Sequence, residues 1–338
     1  MGGGNLSENF LPINFTEFKW LVKAGELDGI IIADKAHSNF TKQVVKICQF
    51  NSIEKIGIVD PINLNFFNAV YMLEPGKIYV GYLEANIVDG CNLNCRGCTH
   101  FSGLFSREEI YPLENFYNDV HRLSKICDIV RFRLLGGEPL LSKNLDEYIR
   151  IVRKNFPKTN LKIVTNGLLI PSLPQKILNS IRENKCMVDI SPYAPTFKIL
   201  DRIKNILISN GITFQISTCA LEHFLVFLSL QAGHNPQKAR AVCINDLCRF
   251  LRNGKIYKCP IDALSYRYTE RFGIENYPTA TGVDIYAPNF AALLEMLNEN
   301  VEMCSWCSEK ARMINWEPSN NPRIEDWLAD PEEIKNFS

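Results

Sequence analysis

Three cysteines stand close together in the stretch Gly90-Cys91-Asn92-Leu93-Asn94-Cys95-Arg96-Gly97-Cys98. Their spacing is C-x3-C-x2-C, and they follow an alternating, strand-like run over residues 82–88. A loop this short turns three sulfurs toward one point, which suits a metal ion or an iron–sulfur cluster better than disulfides. Three protein ligands leave a fourth position open, as a catalytic metal centre requires. A structural zinc knuckle and a chance cluster of thiols are the alternatives.

The composition is that of an ordinary globular protein. The chain has 338 residues, 46% of them hydrophobic, and its 37 basic and 37 acidic residues cancel. This charge balance gives no overall excess of positive charge that would attract nucleic acid. No apolar run reaches the ~18–20 residues that cross a bilayer. Its first residues lack a secretory signal pattern, so we expect a cytoplasmic protein without a membrane span.

Twelve cysteines in a reducing compartment favour metal or redox chemistry over a disulfide framework. Four of them lie in or beside apolar runs and are predicted to be core residues: Cys48, Cys127, Cys186 and Cys219.

Residues 1–80 are predicted to form a separate α/β module. Buried strands over 29–33 and 56–60 flank a helix over 41–50. No G-x-G-x-x-G motif opens that helix, so docking or scaffolding is favoured over nucleotide binding.

From residue 81 the chain alternates strands and helices. The predicted strands are 82–88, 129–135, 161–165, 186–191 and 212–217, and the predicted helices are 113–126, 145–155, 175–183 and 197–209. Repeated βα units with apolar strands indicate a parallel sheet covered by helices, either open or an incomplete barrel. In both folds the chemistry gathers at the carboxyl ends of the strands.

Polar loops follow the strands at this predicted edge. Gly136-Gly137-Glu138-Pro139 follows the second strand, Thr165-Asn166-Gly167 the third and Ser191-Pro192-Tyr193 the fourth. The two glycines permit a tight turn and close backbone approach, and Glu138 offers a carboxylate. The cysteine loop lies at the same edge, so the sequence predicts a composite site.

The cysteine triplet together with Gly136-Gly137-Glu138-Pro139 resembles the radical S-adenosylmethionine (SAM) superfamily. The resemblance implies an incomplete (β/α)6 barrel over residues 81–235. It also implies a [4Fe-4S] cluster on Cys91, Cys95 and Cys98, with SAM on the fourth iron. Glu138, in the loop formed with Gly136, Gly137 and Pro139, would accept a hydrogen bond from the SAM ammonium. Thr165, Asn166 and Ser191 would contact the ribose or the carboxylate, and a donor such as flavodoxin or ferredoxin would supply electrons.

One residue departs from the pattern of that superfamily. Many members place an aromatic residue immediately before the third cysteine, where this chain has Gly97. His100 or Phe101 are the candidates to fill the space beside the adenine.

Five further cysteines lie in the predicted C-terminal extension, residues 236–338: Cys243, Cys248, Cys259, Cys304 and Cys307. Asn253-Gly254 predicts a two-residue hairpin turn, and counting outward from it places Cys248 opposite Cys259. An amphipathic helix predicted over 290–303 leads into the pair Cys304-Ser305-Trp306-Cys307.

This arrangement resembles the auxiliary-cluster extension called twitch, the short form of SPASM. It implies one auxiliary [4Fe-4S] cluster, which we assign to Cys248, Cys259, Cys304 and Cys307, with Cys243 as the alternative to Cys248. Whichever of Cys243 and Cys248 is left over is a candidate hydrogen-atom donor to a substrate radical. A structural zinc site is the alternative for the group.

The resemblance therefore predicts a radical SAM enzyme that epimerises or oxidises a carbohydrate, as a small molecule or a glycan. Radical modification of a ribosomally made peptide is the second hypothesis, and a zinc-binding scaffold protein is the non-enzymatic one. Arg133, Tyr193, Trp316 and Trp327 are further candidates to line the substrate site.

Overall fold

The structure, a computed structural model, describes residues 12–59, 70–108, 110–217, 222–299 and 301–336. Cys219 and the predicted end of the second strand at Asp60 lie outside the described residues. The chain divides into two units, Met1–Gly76 and Lys77–Ser338. No helix in the described ranges is both long and apolar enough to cross a membrane.

The described part of the first unit contains two helices and a three-stranded sheet. Its elements are α1 (Phe15–Ala24), β1 (Gly29–Ala33), α2 (Asn39–Phe50), β2 (Lys55–Val59) and β3 (Tyr71–Met72). β1 pairs in parallel with β2, and β3 adds antiparallel to β2. The Ser38 hydroxyl caps α2 by accepting a hydrogen bond from the Thr41 amide at 2.9 Å. Cys48 is a residue of this helix and is fully buried, as predicted.

The second unit begins with alternating strands and helices. They are β4 (Ile78–Val80), β5 (Leu83–Val88), α3 (Leu113–Ile126), β6 (Cys127–Ile129), β7 (Arg131–Gly136), α4 (Leu145–Asn155), β8 (Asn160–Thr165), α5 (Gln175–Glu183), β9 (Met187–Ile190), α6 (Ala194–Phe197), α7 (Leu200–Ser209) and β10 (Phe214–Ile216). The helices α3, α4 and α5 have the predicted bounds, because their apolar spacing marks the buried stripe clearly. Cys127 and Cys186 are buried here, as predicted.

The remaining elements are β11 (His223–Leu228), α8 (Pro236–Val242), β12 (Phe250–Arg252), β13 (Lys255–Tyr257), α9 (Pro260–Phe272), β14 (Val283–Asp284), α10 (Phe290–Met296) and β15 (Cys307–Asn315). The helix predicted over 290–303 is shorter than expected. It ends at Met296, where the carbonyl of Leu297 accepts hydrogen bonds from Arg249 Nη2 at 3.2 Å and Lys258 Nζ at 3.0 Å. These side chains satisfy the carbonyl that another helical turn would use.

The main sheet forms a partial barrel that is parallel from β10 to β12 and antiparallel over β12, β13 and β14. In the described chain its strand order is β10-β9-β8-β7-β5-β12-β13-β14. The strands β5, β7, β8, β9 and β10 pair in parallel, as the repeated βα units predicted. The β12–β13 hairpin has the predicted pairing of Phe250 with Tyr257.

The C-terminal extension continues this sheet. β12 lies parallel to β5, so residues of the predicted extension complete the edge of the barrel within the same unit. β11 and β15 form a separate antiparallel ribbon in which His223 faces Asn315.

The sheet has one apolar face and one polar face, since side chains alternate along a strand. On β5, Leu83, Ala85 and Ile87 are fully buried in the apolar core. The alternate positions of the strands carry buried polar residues: Glu84, Asn86, Lys162 and Asp189, with half-buried Arg133. We call these five residues, with Tyr82, the inner polar group.

Candidate active site

The cysteine loop leaves the carboxyl end of β5 and turns its thiols into an apolar pocket. Cys91 and Cys95 are buried with Leu93, and Cys98 packs against them. The Leu93 amide donates a hydrogen bond to Cys91 Sγ at 3.4 Å. Burial raises the pKa of the Cys91 thiol to about 11 and raises that of Cys95 as well. A thiolate here therefore needs a positive charge beside it, which iron would supply.

The double glycine packs directly against this loop. A Cβ on Gly136 would lie 1.8 Å from the Val88 oxygen, and one on Gly137 would lie 2.1 Å from the Gly90 oxygen. The amide of Glu138 donates to the Gly90 oxygen at 3.0 Å. Only glycine permits this backbone-to-backbone contact, which holds the second strand's loop against the first.

Glu138 joins three loops of the site. One carboxylate oxygen accepts hydrogen bonds from Thr165 Oγ1 at 2.7 Å and from the Leu140 amide at 3.0 Å, and the other accepts from the Asn166 amide at 3.0 Å. Glu138 is fully buried, and burial raises the pKa of its carboxyl to about 7, although the three hydrogen bonds act to lower it. The second oxygen accepts one of these hydrogen bonds, so it has acceptor capacity left for a group such as an ammonium.

The other predicted SAM contacts lie in the same place. Asn166 Nδ2 donates to Asn92 Oδ1 at 2.7 Å and approaches Cys91 Sγ at 4.0 Å. The Ser191 amide donates to the Thr165 oxygen at 2.9 Å, which brings the fourth strand's loop beside the third. Asn92 was missed from the sequence; its position inside the cysteine loop is the signal that points to it.

The aromatic side chains that pack beside Cys91 and Cys95 differ from the two candidates named from the sequence, His100 and Phe101. Phe101 is fully buried against Tyr268 and Trp327, so it does not fill the space left by Gly97. His100 Nδ1 lies 3.1 Å from Asn86 Oδ1, and burial lowers its pKa to about 4.

Tyr193, Phe224 and Trp316 pack against the thiols instead. Tyr193 lies 5.4 Å from Trp316 and 6.0 Å from Phe224, between ring centroids. Trp327 belongs to the core and not to a substrate site, since it is 3% exposed and donates to the Cys98 oxygen at 2.8 Å.

Four of the C-terminal thiols interact with one another, and the fifth, Cys248, interacts with Cys243. Cys243 is electrostatically coupled to Cys304, and Cys259 is coupled to Cys243 and Cys307. Cys307 is in turn coupled to Cys243 and Cys304. Cys259 caps the N-terminus of α9, where its sulfur accepts a hydrogen bond from the Asp262 amide at 3.4 Å.

Cations border these four thiols. Lys258 and Arg240 interact with Cys304, and Arg249 interacts with Cys259. Positive neighbours of this kind offset the negative charge that four thiolates bring to an iron–sulfur cluster.

Cys248 also lies beside the inner polar group. Its neighbours there are Glu84 and Arg133, Tyr82 is its hydrogen-bond partner, and Cys243 lies nearby as well. Burial and the Glu84 carboxylate raise the pKa of the Cys248 thiol, which keeps its hydrogen. The observed register of the hairpin agrees with the count that places Cys248 opposite Cys259.

The inner polar group is a network with paired charges. Arg133 forms a salt bridge with Asp189 at 2.6 Å and donates to the Tyr82 hydroxyl at 3.1 Å. The Tyr82 hydroxyl donates to one Glu84 oxygen, and the other, Oε1, is buried without a hydrogen-bond partner among the described residues. A buried carboxylate oxygen of this kind is suited to accept a hydrogen bond from a ligand.

No three His, Cys, Asp or Glu side chains of the described chain are placed to hold a single metal ion. The donor set nevertheless fits iron–sulfur clusters, in which each thiolate binds a different iron. The candidate ligands form two sets: Cys91, Cys95 and Cys98 in the cysteine loop, and Cys243, Cys259, Cys304 and Cys307 in the C-terminal part of the unit.

Comparison with known proteins identifies the barrel. The family model described as Radical SAM superfamily matches residues 85–219. A GTP 3′,8-cyclase of Pelotomaculum thermopropionicum is 37% identical over 95 residues, which cover 28% of this chain and 29% of that protein. The GTP 3′,8-cyclase of Helicobacter pylori is 31% identical over 106 residues, which cover 30% and 32%. The chain thus spans about a third of the length of these curated relatives.

Solved structures of low identity are also similar. BtrN in complex with AdoMet and 2-DOIA is 16% identical with a TM-score of 0.40, covering 68% of this chain and 93% of BtrN. Native anSMEcpe with bound AdoMet and the Cp18Cys peptide is 18% identical with a TM-score of 0.33, covering 57% of this chain and 48% of that one.

Proposed function

We propose that this chain, whose residues 85–219 form a radical SAM domain, epimerises a carbohydrate, with Cys248 as the hydrogen-atom donor. The observation that supports the proposal is the position of the Cys248 thiol beside Tyr82, Glu84 and Arg133 of the inner polar group, with Cys243 as a further neighbour. Cys243, Cys259, Cys304 and Cys307 would hold one auxiliary [4Fe-4S] cluster. This assignment replaces our preference from the hairpin for Cys248 as the ligand.

The cofactors and the thiol have complementary roles. When bound, the cluster on Cys91, Cys95 and Cys98 and its SAM supply a 5′-deoxyadenosyl radical that removes one hydrogen atom from a substrate carbon. Cys248 then breaks its S–H bond and forms a new C–H bond on the opposite face of that carbon. One electron and one proton return the resulting thiyl radical to the thiol. A low-potential one-electron donor such as flavodoxin or ferredoxin supplies the electron.

The polarity of the inner polar group supports a neutral, hydroxyl-bearing substrate. Arg133 is neutralised by Asp189, and Arg252 holds Asp89 with two bonds of 2.8 Å. Glu84 Oε1 remains as an acceptor for a hydroxyl hydrogen. Because Arg133 and Arg252 are already paired with carboxylates, they support a hydroxyl-bearing sugar rather than the triphosphate of GTP as the substrate. The aligned part of the GTP 3′,8-cyclases is confined to about 100 residues.

The other hypotheses differ in what becomes of the substrate radical. Oxidation to a ketone would leave Cys248 unused, and peptide modification would need a peptide in place of the sugar. The family match favours an enzyme over a zinc-binding scaffold.

We place the protein in the cytoplasm, since its clusters and free thiols need a reducing compartment.

Turnover in deuterated water tests the proposal. The anaerobically reconstituted protein, with dithionite, SAM and candidate sugars, should invert one carbinol carbon and place one deuterium there, because the S–H of Cys248 exchanges with solvent. Cys248→Ala should still form 5′-deoxyadenosine but lose inversion and deuterium incorporation. Cys243→Ala is the matched control, and it should lose the auxiliary iron.

The contrary results are distinct. A ketone product without deuterium would overturn epimerisation in favour of oxidation. Consumption of GTP, or of a precursor peptide, with no sugar converted would overturn the substrate class. Loss of iron in Cys248→Ala and its retention in Cys243→Ala would reverse the assignment of the two thiols. Zinc without sulfide would overturn the enzyme itself.

A further inference from the structure

The C-terminal segment 315–328 lies across the cysteine loop. The Ser319 amide donates to the Asn94 oxygen at 2.8 Å, and the Arg96 amide donates to the Glu317 oxygen at 2.9 Å. The Arg96 side chain forms a salt bridge with Asp326, which is buried, at 2.6 Å. These contacts hold the segment against the loop near its start, at residues 317 and 319, and near its end, at Asp326.

Within this segment, Trp316 reaches a predicted cluster ligand. Its indole Nε1–H donates to Cys95 Sγ at 3.1 Å. The backbone amide of Trp316 donates to the Glu222 oxygen at 2.7 Å, and its ring packs on Tyr193 at 5.4 Å. The indole is therefore held from two directions, with its N–H directed at the sulfur.

We propose that Trp316 is a positioning residue whose N–H raises the reduction potential of the cluster held by Cys91, Cys95 and Cys98. The inference rests on Cys95 as a ligand of that cluster and not on the identity of the substrate. Hydrogen bonds to ligand sulfurs are among the features that set iron–sulfur potentials. Reduction adds negative charge to the cluster and its sulfurs, so a donor stabilises the reduced form more than the oxidised form.

The surroundings make this hydrogen bond hard to replace. Cys95 is 7% exposed and lies among Leu93, Tyr193 and Phe224, so water has little access to its sulfur. Removing the indole N–H would leave the sulfur with one donor fewer in an apolar pocket. The energetic effect of one donor is larger there than in water.

A second tryptophan on the same segment gives a matched control. Trp327 Nε1 donates to the Cys98 oxygen at 2.8 Å, so its hydrogen bond ends on a backbone carbonyl and not on a sulfur. Trp316→Phe and Trp327→Phe each remove one indole N–H and retain an aromatic ring. Both loosen the segment, but only the first removes a donor from a thiolate.

The experiment is a redox titration of the full-length, anaerobically reconstituted protein followed by electron paramagnetic resonance. The signal that changes when SAM is added identifies the cluster under study. We expect its midpoint potential to be more negative in Trp316→Phe and unchanged in Trp327→Phe, with equal iron and sulfide contents. An unchanged potential in Trp316→Phe, or an equal shift in both variants, would overturn the proposal.

Labelling tests the same hydrogen bond in a chain that keeps both the ring and the donor. Incorporated 5-fluorotryptophan has a more acidic N–H and is a stronger donor. The potential should rise on labelling in Trp327→Phe, which keeps Trp316, and stay constant in Trp316→Phe. A rise in both would show that Trp316 is not the source. If Trp316→Phe fails to bind iron, the labelled Trp327→Phe protein still tests the proposal. A higher midpoint potential on labelling supports it, and an unchanged potential overturns it.

Discussion

Replacing Gly97 by alanine should destabilise the second unit by more than its backbone angle explains. Gly97 has a φ of +68°, and an added Cβ would lie 2.6 Å from Val226 Cγ1, 2.8 Å from Ile314 Cδ1 and 3.0 Å from the Asp326 oxygen. Two of these three neighbours belong to the β11–β15 ribbon. The space that an aromatic residue would need before Cys98 is therefore already filled.

The size of the effect follows from two contributions. The left-handed backbone costs an alanine about 1–2 kcal/mol. Forcing a methyl group into a packed contact costs about 1–3 kcal/mol more. We expect the free energy of unfolding to fall by about 2–5 kcal/mol in total, as the sum of the two.

Gly273→Ala is the comparison that isolates the packing. Gly273 lies in the same unit with a φ of +64°, and an added Cβ there meets nothing within 4 Å. Its cost should be the backbone strain alone, about 1–2 kcal/mol.

Thermal unfolding of the anaerobically reconstituted proteins measures the difference. For domains of this size, Tm falls by about 2–4 °C for each kcal/mol lost. Gly97→Ala should therefore lower Tm clearly further than Gly273→Ala. Equal losses would refute the reasoning, because they would mean that the ribbon does not press on the cysteine loop.

Two further predictions concern buried titratable groups. Arg252→Ala should lower stability by about 3–5 kcal/mol, because it leaves Asp89 buried with its charge unpaired. The double variant Asp89→Asn with Arg252→Leu should recover most of that loss, as measured by thermal unfolding. A double variant whose loss of stability equals the sum of the two single losses would contradict the pairing. In the first unit, burial raises the pKa of the Cys48 thiol from 9.0 to about 11. The unfolded chain therefore loses this proton at lower pH than the folded chain, so stability is complete below pH 9.0 and falls as the pH rises to about 11. Urea unfolding across this range should show a steeper fall for the wild type than for Cys48→Val, and parallel curves would exclude the effect.

Local patterns in the sequence determined most of the secondary structure. The apolar stripes of α3, α4 and α5 set both ends of each helix, and Asn253-Gly254 set the register of the β12–β13 hairpin. The order of loops at the strand ends likewise predicted that Glu138, Thr165 and Asn166 meet. Each of these features depends on residues near in sequence or on the regular geometry of parallel βα units.

The tertiary structure alone decided which side chains share a pocket across long sequence distances. Counting along the hairpin places Cys248 opposite Cys259, and only the pairing of β12 with β5 shows that Cys248 also lies beside Glu84 and Tyr82. Nothing near Cys95 in sequence predicted a hydrogen bond from Trp316, 221 positions away. The sequence by itself determined the cysteine loop and the strand it follows. The C-terminal segment 315–328 crosses that loop through contacts that follow no periodicity or local spacing in the sequence. Only the three-dimensional structure therefore shows this crossing.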